Sequence, residues 1–351
     1  MRIAVIVTTY NNSDSIVRCL NSVKSFENKL KKFEIQIVLV DDASIDKTPQ
    51  ILLSFSKKMP LTEFKKYSTN QGVSKARNYG ISRSLDSDYL LFLDGDDELD
   101  LRLADYLNKS KLGSDIYAFD FTIIDDEKKT EQKHFQNKKF FNDESITDYF
   151  FDYLTIPNRN SMFVTCWAKL LKTKLLKINA NLRFRQEMRI YEDVQFIFRF
   201  LRKCKKIEYI NIPSYVYNRS KSKSAGQASL GGNWKVTHLF SFISALRQLR
   251  HYLIEKKQNV HFVNTKIFHC IGVYTCISSS RAWIRVQSFS DFLKMHYLLK
   301  NIYKKPIIEK SFNIYNVEIA KGNKLITFFL KRKYFFIASI LTFLYSNKRY
   351  K

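Results

Sequence analysis

Glycine and proline are scarce in this 351-residue chain, at 9 and 5 residues, which excludes collagen-like and Gly/Pro-rich disordered compositions. Cysteine is sparse as well. Cys19, Cys166, Cys204, Cys270 and Cys276 are odd in number and form no CxxC pair, so neither a disulfide framework nor a zinc ribbon is expected. No GxGxxG follows the first apolar run, and GxxxxGK[ST], GxSxG and HExxH do not occur. Dinucleotide, P-loop, hydrolase-elbow and zincin chemistries therefore lack their residues. No apolar stretch reaches the roughly 20 residues that span a hydrocarbon core. The first apolar run breaks at Tyr10-Asn11-Asn12, without the longer core and small-residue cleavage site of a signal peptide, and a cytoplasmic location is expected.

Carboxylates are scarce in one half only. Through Asp193 there are 30 Lys+Arg against 28 Asp+Glu, and from Val194 onward 29 against 5, so nearly all of the net charge of +26 belongs to the second half. Such asymmetry points to an anionic partner, either nucleic acid or a membrane surface. Hydrophobic residues are 45% and aromatics 15% of the chain, enough to bury a sizeable core, and the length suits one large domain with a smaller one appended.

Three short, β-branched or apolar runs, Ile3–Thr8, Ile35–Val40 and Tyr89–Leu93, have the pattern of strands buried on both faces of a parallel sheet. Between the first two, Ile16, Leu20 and Val23 recur at helical spacing behind a cap at Ser13 or Asp14, completing a β-α-β unit. A mixed region is expected from Ile116 to about Tyr217, and helices rich in Phe, Leu, Ile and basic residues from Trp234 onward. Each of the three strands runs into a polar cluster: Thr8-Thr9-Tyr10-Asn11, Asp41-Asp42-Ala43-Ser44, and Asp94-Gly95-Asp96-Asp97. Ligands of open α/β sheets bind outside the carboxyl ends of the strands, so these clusters should converge on one site.

Asp94, Asp96 and Asp97 can hold a divalent cation that also binds a substrate diphosphate, with Gly95 permitting the turn; taken alone, D-x-D reads equally as a solvated acidic turn. It is not alone. TTYNN at 8–12, VDDAS at 40–44, NQGVSKARNYG at 70–80, LFLDGDDEL at 91–99 and YEDV at 191–194 resemble, in order, the motif series of family 2 glycosyltransferases with a GT-A fold, over roughly the first 220 residues. That resemblance implies a Rossmann-like, mostly parallel α/β sheet over residues 1–225, followed by a helical, basic region at 226–351 for membrane association or oligomerisation.

The same resemblance implies the roles. The donor is a UDP-sugar of the galactose, glucose or N-acetylhexosamine type. Thr8, Tyr10, Asn11 and Asp42 take the nucleotide, Tyr10 by ring contact and Asp42 by accepting the imide N–H, unless Tyr10 is a core aromatic and Asp42 a helix cap. Asn70 and Arg77 belong to the donor site, Arg77 either gripping the diphosphate or fixing the acid cluster. Asp94 lies near the ribose, and Gly95 belongs to the nucleotide-sugar site. Asp94 and Asp96 ligate Mn2+ or Mg2+, while Asp97 is a second ligand or a cap. Asp193 of the Glu192-Asp193 pair is the general base, and its single displacement inverts the sugar carbon. Trp167 of a W-x-K-L segment offers a floor for the acceptor sugar or is core. After Tyr215-Val216-Tyr217, Arg219 is the diphosphate contact, with Lys221, Lys223 and Ser224 in a solvated loop.

The last acidic residue is Glu318, and seven Lys or Arg follow Gly322. Tyr334–Tyr345 is a 12-residue apolar and aromatic stretch between Lys331-Arg332-Lys333 and Lys348-Arg349. Too short to span, it suits a helix lying in an anionic membrane interface at the inner face, or one buried against Trp234–Leu253 or another subunit; the charge favours membrane. The acceptor implied is a lipid-linked surface glycan of lipopolysaccharide or capsule type. A catalytically idle glycan-binding or partner subunit is the alternative, and a nucleic-acid-binding protein leaves the five ordered motifs unexplained.

Overall fold

β1 (Arg2–Thr9) is buried along nearly its whole length, Ile3 to Val7 having no exposure, because it pairs in parallel on both sides. Its neighbours are β2 (Glu34–Asp41) and β4 (Tyr89–Asp94), with β3 (Thr62–Lys66) added outside β2. The computed structural model describes residues 1–126, 128–157, 161–219, 238–283, 286, 288–320 and 322–350. Trp234, Lys221, Lys223 and Ser224 lie outside them.

The remaining strands are β5 (Glu98–Leu99), β6 (Ile116–Asp125), β7 (Lys128–Gln132), β8 (Lys139–Phe141), β9 (Lys169–Lys172) and β10 (Ile207–Asn218). The order across the sheet is β3-β2-β1-β4-β9-β6-β10-β5, with β7 on β6 and β8 on β10. β6 and β10 are parallel, while the four-residue β9 runs antiparallel to both β4 and β6. The mostly parallel α/β sheet and the helical C-terminal region expected from the sequence are both present.

Two compact units emerge, residues 1–142 with 162–224 and residues 143–161 with 225–351. In the first, helices α1 (Ile16–Lys29), α2 (Thr48–Ser56), α3 (Val73–Arg83) and α4 (Arg102–Lys109) follow the early strands. The second contains α5 (Asp143–Thr155); α6 (Thr173–Ile178) and α7 (Glu192–Leu201) return to the first. α8 (His238–Glu255), α9 (Val260–Trp283), α10 (Phe289–Tyr303), α11 (Pro306–Ile314), α12 (Lys324–Lys331) and α13 (Phe335–Tyr350) complete the second.

α1 begins one or two residues later than a cap at Asp14 or Ser13 implies, with Ser15 in the capping position and no side-chain cap. The Ser13 amide is occupied elsewhere, donating to Asp46 at 2.9 Å, so the loop after β1 is tied to the loop after β2 before the helix starts. α3 packs flush on β1 because residue 80 is glycine. A Cβ there would sit well inside contact distance of the Ile6 side chain.

Candidate functional site

In-register pairing sets Thr8 beside both Val40 and Asp94, and Thr9 beside Asp41, so the three polar clusters lie in one row at the carboxyl ends of β1, β2 and β4. Thr8 Oγ1 is 3.4 Å from Asp94 Oδ1. Asn11 stitches β1 to β2: its amide donates to Ser44 Oγ at 2.7 Å and its Oδ1 accepts from the Ile45 amide at 2.9 Å. Tyr10, 41% exposed, stands at the open end of β1.

The two adjacent aspartates at the end of β2 divide their work. Asp41 is fully buried and accepts from the Ser44 amide and hydroxyl; burial raises its pKa. Asp42 does not cap α2, which begins at Thr48. Its two oxygens accept from the amides of Gln71 at 2.7 Å and Gly72 at 2.8 Å, next to the exposed Asn70. Gly72, at φ 86°, occupies the left-handed region that glycine enters without strain, and α3 starts at the next residue. Asp42 thereby anchors the start of the helix that carries Arg77.

Arg77 is buried, its side chain 5% exposed, and its two terminal nitrogens go to two different carboxylates. Nη2 donates to Asp94 Oδ1 at 2.9 Å and Nη1 to Glu192 Oε1 at 3.0 Å, while the guanidinium lies over the Phe184 ring. Of the two roles the sequence left open for it, this geometry is that of fixing the acid cluster. The neighbouring acids hold Arg77 charged against the burial that opposes it.

Gly95 has no left-handed φ; it is small because a Cβ would come within 2.6 Å of Thr9 Oγ1. Asp94, with its side chain 28% exposed, and Asp96 border the turn, but Asp97 turns inward. Asp97 accepts from the Tyr215 hydroxyl at 2.7 Å and the Asn218 amide at 2.8 Å. Burial, then the charges of Asp96 and Asp94, push its pKa well above the ordinary carboxylate range. No group of three or more His, Cys, Asp or Glu able to hold a metal occurs among the described residues. The residues here fit a cation only in the manner of Mg2+ or Mn2+ at phosphoryl sites, where one or two carboxylates are completed by diphosphate oxygens and water.

Glu192 and Asp193 open α7, preceded by Tyr191 at φ 65°. Asp193, half-buried, accepts from the Val194 amide at 2.8 Å. Burial raises the pKa of both acids, Asp193 adding to the effect on Glu192, and Arg77 opposes the rise in each. Lys169 is buried close by, its Nζ 3.1 Å from Thr165 Oγ1 and from the Trp167 carbonyl, and burial pulls it down to about 7. Trp167 is clasped by rings, stacked on Tyr215 at 4.7 Å and on Tyr217 at 5.7 Å and meeting Phe121 edge-on at 4.8 Å. Arg219 is exposed beyond β10, 4.0 Å from Asp125 and over the Tyr217 ring.

Sequence reasoning named Tyr215 and Lys169 only as members of the Y-x-Y and W-x-K-L segments, without the buried contacts that Tyr215 makes to Asp97 and Lys169 to Thr165. It also missed that Asn11, Ala43, Ala168 and Tyr191, flanking the site's elements, hold φ values of 50° to 66°. Left-handed non-glycine residues cost of order 1 kcal/mol or more and gather where a site over-determines the backbone.

Residues 4–178 match the family model described as glycosyl transferase family 2. The chain is 25% identical over 235 residues to a cholesterol galactosyltransferase of Borreliella burgdorferi, covering 65% of this chain and 63% of that one. It is 27% identical over 217 residues to the poly(ribitol-phosphate) beta-N-acetylglucosaminyltransferase TarS of Staphylococcus aureus, covering 62% of this chain and 35% of that one. It thus spans less than two thirds of either relative. The crystal structure of TarS 1-349 in complex with UDP-GlcNAc superposes with a TM-score of 0.66 at 18% identity, covering 100% of this chain and 93% of that one. This likeness shows the shared fold, the GT-A arrangement expected from the motifs.

Proposed function

The chain belongs to glycosyl transferase family 2, and from that premise we propose that it is a glycosyltransferase that moves a hexose or N-acetylhexosamine from a UDP-sugar to a lipid-linked surface glycan, with inversion at the sugar carbon. The observation that carries this reading is the Arg77 bridge, which joins the D-x-D acid Asp94 to the Glu192-Asp193 pair. The relatives' names, one a galactosyltransferase and one an N-acetylglucosaminyltransferase, support the sugar class.

In this reading Asp193 takes the proton from the acceptor hydroxyl as that oxygen attacks the anomeric carbon. Its raised pKa improves it as a base, provided the medium is alkaline enough to leave it ionised. With one base and no enzyme nucleophile, the reaction is a single in-line displacement. Tyr10 offers an exposed ring to the base of the nucleotide. Arg77 acts indirectly, holding Asp94 and Glu192 in place. A divalent cation on Asp94 and Asp96 would supply positive charge to the leaving diphosphate. The basic second half supports work at the anionic inner face of a membrane; no described helix is long and apolar enough to cross one.

The test is release and transfer of sugar across a panel of UDP-sugars, with and without Mn2+, for wild type and Asp193→Asn. Metal-dependent release of UDP from one donor, lost in the variant, supports the reading and names the sugar. Turnover that persists in Asp193→Asn removes the base, and absence of turnover with any donor favours an idle homologue.

A further inference from the structure

α13 buries a line of small residues and leaves an apolar stripe outside. Among its described side chains the buried ones are Ala338, Ser339, Thr342 and Ser346, all small and three of them hydroxylic. The hydroxyls are satisfied at once: Thr342 donates to the Ala338 carbonyl at 2.6 Å, Ser346 to the Thr342 carbonyl at 2.7 Å, and Ser339 Oγ lies 3.0 Å from His296 Nδ1 on α10. Phe336, Ile337, Ile340 and Leu344 instead face outward, 38% to 57% exposed. Residues 336, 340 and 344 fall on one stripe about 12 Å long. Phe335 and Phe343 do pack inward, on Tyr303 at 5.8 Å and on Trp283 and Phe292 at 6.0 and 5.8 Å, but a second apolar stripe stays outside, where a surface helix ordinarily carries polar residues.

The stripe continues onto a second helix. The Phe336 ring meets Phe292 at 6.1 Å and His296 at 5.2 Å, which sets it beside the outward stripe of α10. That stripe is Phe289, Leu293 and Tyr297, again at spacings of four and 43% to 73% exposed. Two adjoining apolar stripes form a contiguous patch rather than scattered surface residues, and such patches mark interaction sites.

Charge identifies the occupant. Lys331, Arg332 and Lys333 are exposed immediately before α13, Lys294 is exposed on α10, and no carboxylate side chain follows Glu318. Lys333 pairs with Glu309 at 2.5 Å, and the excess nonetheless stays positive. A second copy of this chain would bring like charge against like charge, whereas an anionic bilayer offers both acyl chains for the aromatic and aliphatic side chains and headgroups for the cations. We infer that the joined α10–α13 face seats in the interfacial layer of an anionic membrane, with the Lys331–Lys333 cluster among the headgroups. This deepens the peripheral-membrane reading above and rests on it.

The experiment is co-sedimentation of the full chain with phosphatidylglycerol-containing vesicles and with pure phosphatidylcholine vesicles. It compares wild type with the triple variant Phe336→Ser, Ile340→Ser, Leu344→Ser, in parallel with UDP-sugar hydrolysis in lipid-free buffer and sedimentation velocity. The expected result is binding to anionic vesicles, at least tenfold weaker to neutral ones, and at least tenfold weaker in the triple variant, whose hydrolysis and thermal unfolding match wild type. Equal binding by the triple variant overturns the inference. So does a wild-type dimer that the variant loses, which assigns the face to self-association. Vesicle binding without hydrolysis in either protein sinks the enzymatic reading while leaving the membrane face standing.

Discussion

Arg77 Nη1 lies 3.0 Å from Glu192 Oε1 across 115 residues of chain, and the same guanidinium holds Asp94 at 2.9 Å. Removing one partner of a buried ionic group strands the others, a loss of about 3–5 kcal/mol. Arg77→Met is therefore expected to lower unfolding stability by that order in urea titration and to abolish UDP release. Arg77→Lys should not restore activity, since one ammonium cannot present two separated donors in a fixed plane. The double variant Arg77→Met, Glu192→Gln should recover part of the lost stability, because the stranded charge goes with it; simple addition of the two losses would refute the coupling.

Burial, with Arg77 opposing it, raises the Asp193 carboxyl above its ordinary value of 3.8. A general base works only when ionised, so the rate of UDP release should climb with pH through an acidic limb centred above that value. Stability moves the other way. The folded chain keeps a proton that the unfolded chain releases, so this group's contribution is full below the unfolded value and is lost as pH rises through the folded one. Asp193→Asn should flatten both dependences. An unchanged acidic limb, measured as initial rate from pH 4 to 8, would assign the base elsewhere.

Asp96 and Asp97 are adjacent in sequence and opposite in role. Asp97 is clamped by Tyr215 and Asn218, so Tyr215→Phe should cost roughly 1–3 kcal/mol by leaving a buried acceptor short of a donor. Asp97→Asn, which still accepts from the Asn218 amide, should cost less than Asp97→Ala. Mn2+-stimulated UDP binding by calorimetry should survive in Asp97→Asn and disappear in Asp96→Asn. Loss of metal stimulation in a folded Asp97→Asn would put Asp97 among the ligands.

The early strands were legible because doubly buried strands must be apolar throughout: Ile3–Thr8, Ile35–Val40 and Tyr89–Leu93 each fall within an observed strand. Their polar ends marked the row where Thr8, Asp41 and Asp94 meet. What the sequence hid is what tertiary contact decides. Nothing local says which of Asp96 and Asp97 turns inward, since the residues that choose, Tyr215 and Asn218, come 118 and 121 positions after Asp97. β9 is only four residues, too short for a periodic signal, yet it inserts antiparallel between β4 and β6. In α13 the stretch Tyr334–Tyr345 was recognisable as apolar with basic flanks, but no pattern of hydrophobicity reveals that its small hydroxylic side is the buried one.

Gly80 gives a test of how tightly the site's scaffold is built. Alanine is the better helix former by about 0.5–1 kcal/mol, so on propensity alone Gly80→Ala on α3 should stabilise. The added methyl instead meets Ile6 of β1, a residue with no exposure in the middle of the sheet. Overpacking costs about 1–3 kcal/mol, which exceeds the propensity gain over most of that range, so the variant is expected to be less stable in urea titration. The displaced helix carries Arg77, and activity should fall by more than stability alone accounts for. Ile6→Ala by itself should cost about 2–5 kcal/mol through the cavity it leaves. In the double variant the new methyl enters that cavity, so the pair should be less destabilised than the sum of the two single changes. Strict additivity would show that α3 and β1 do not meet at these two residues.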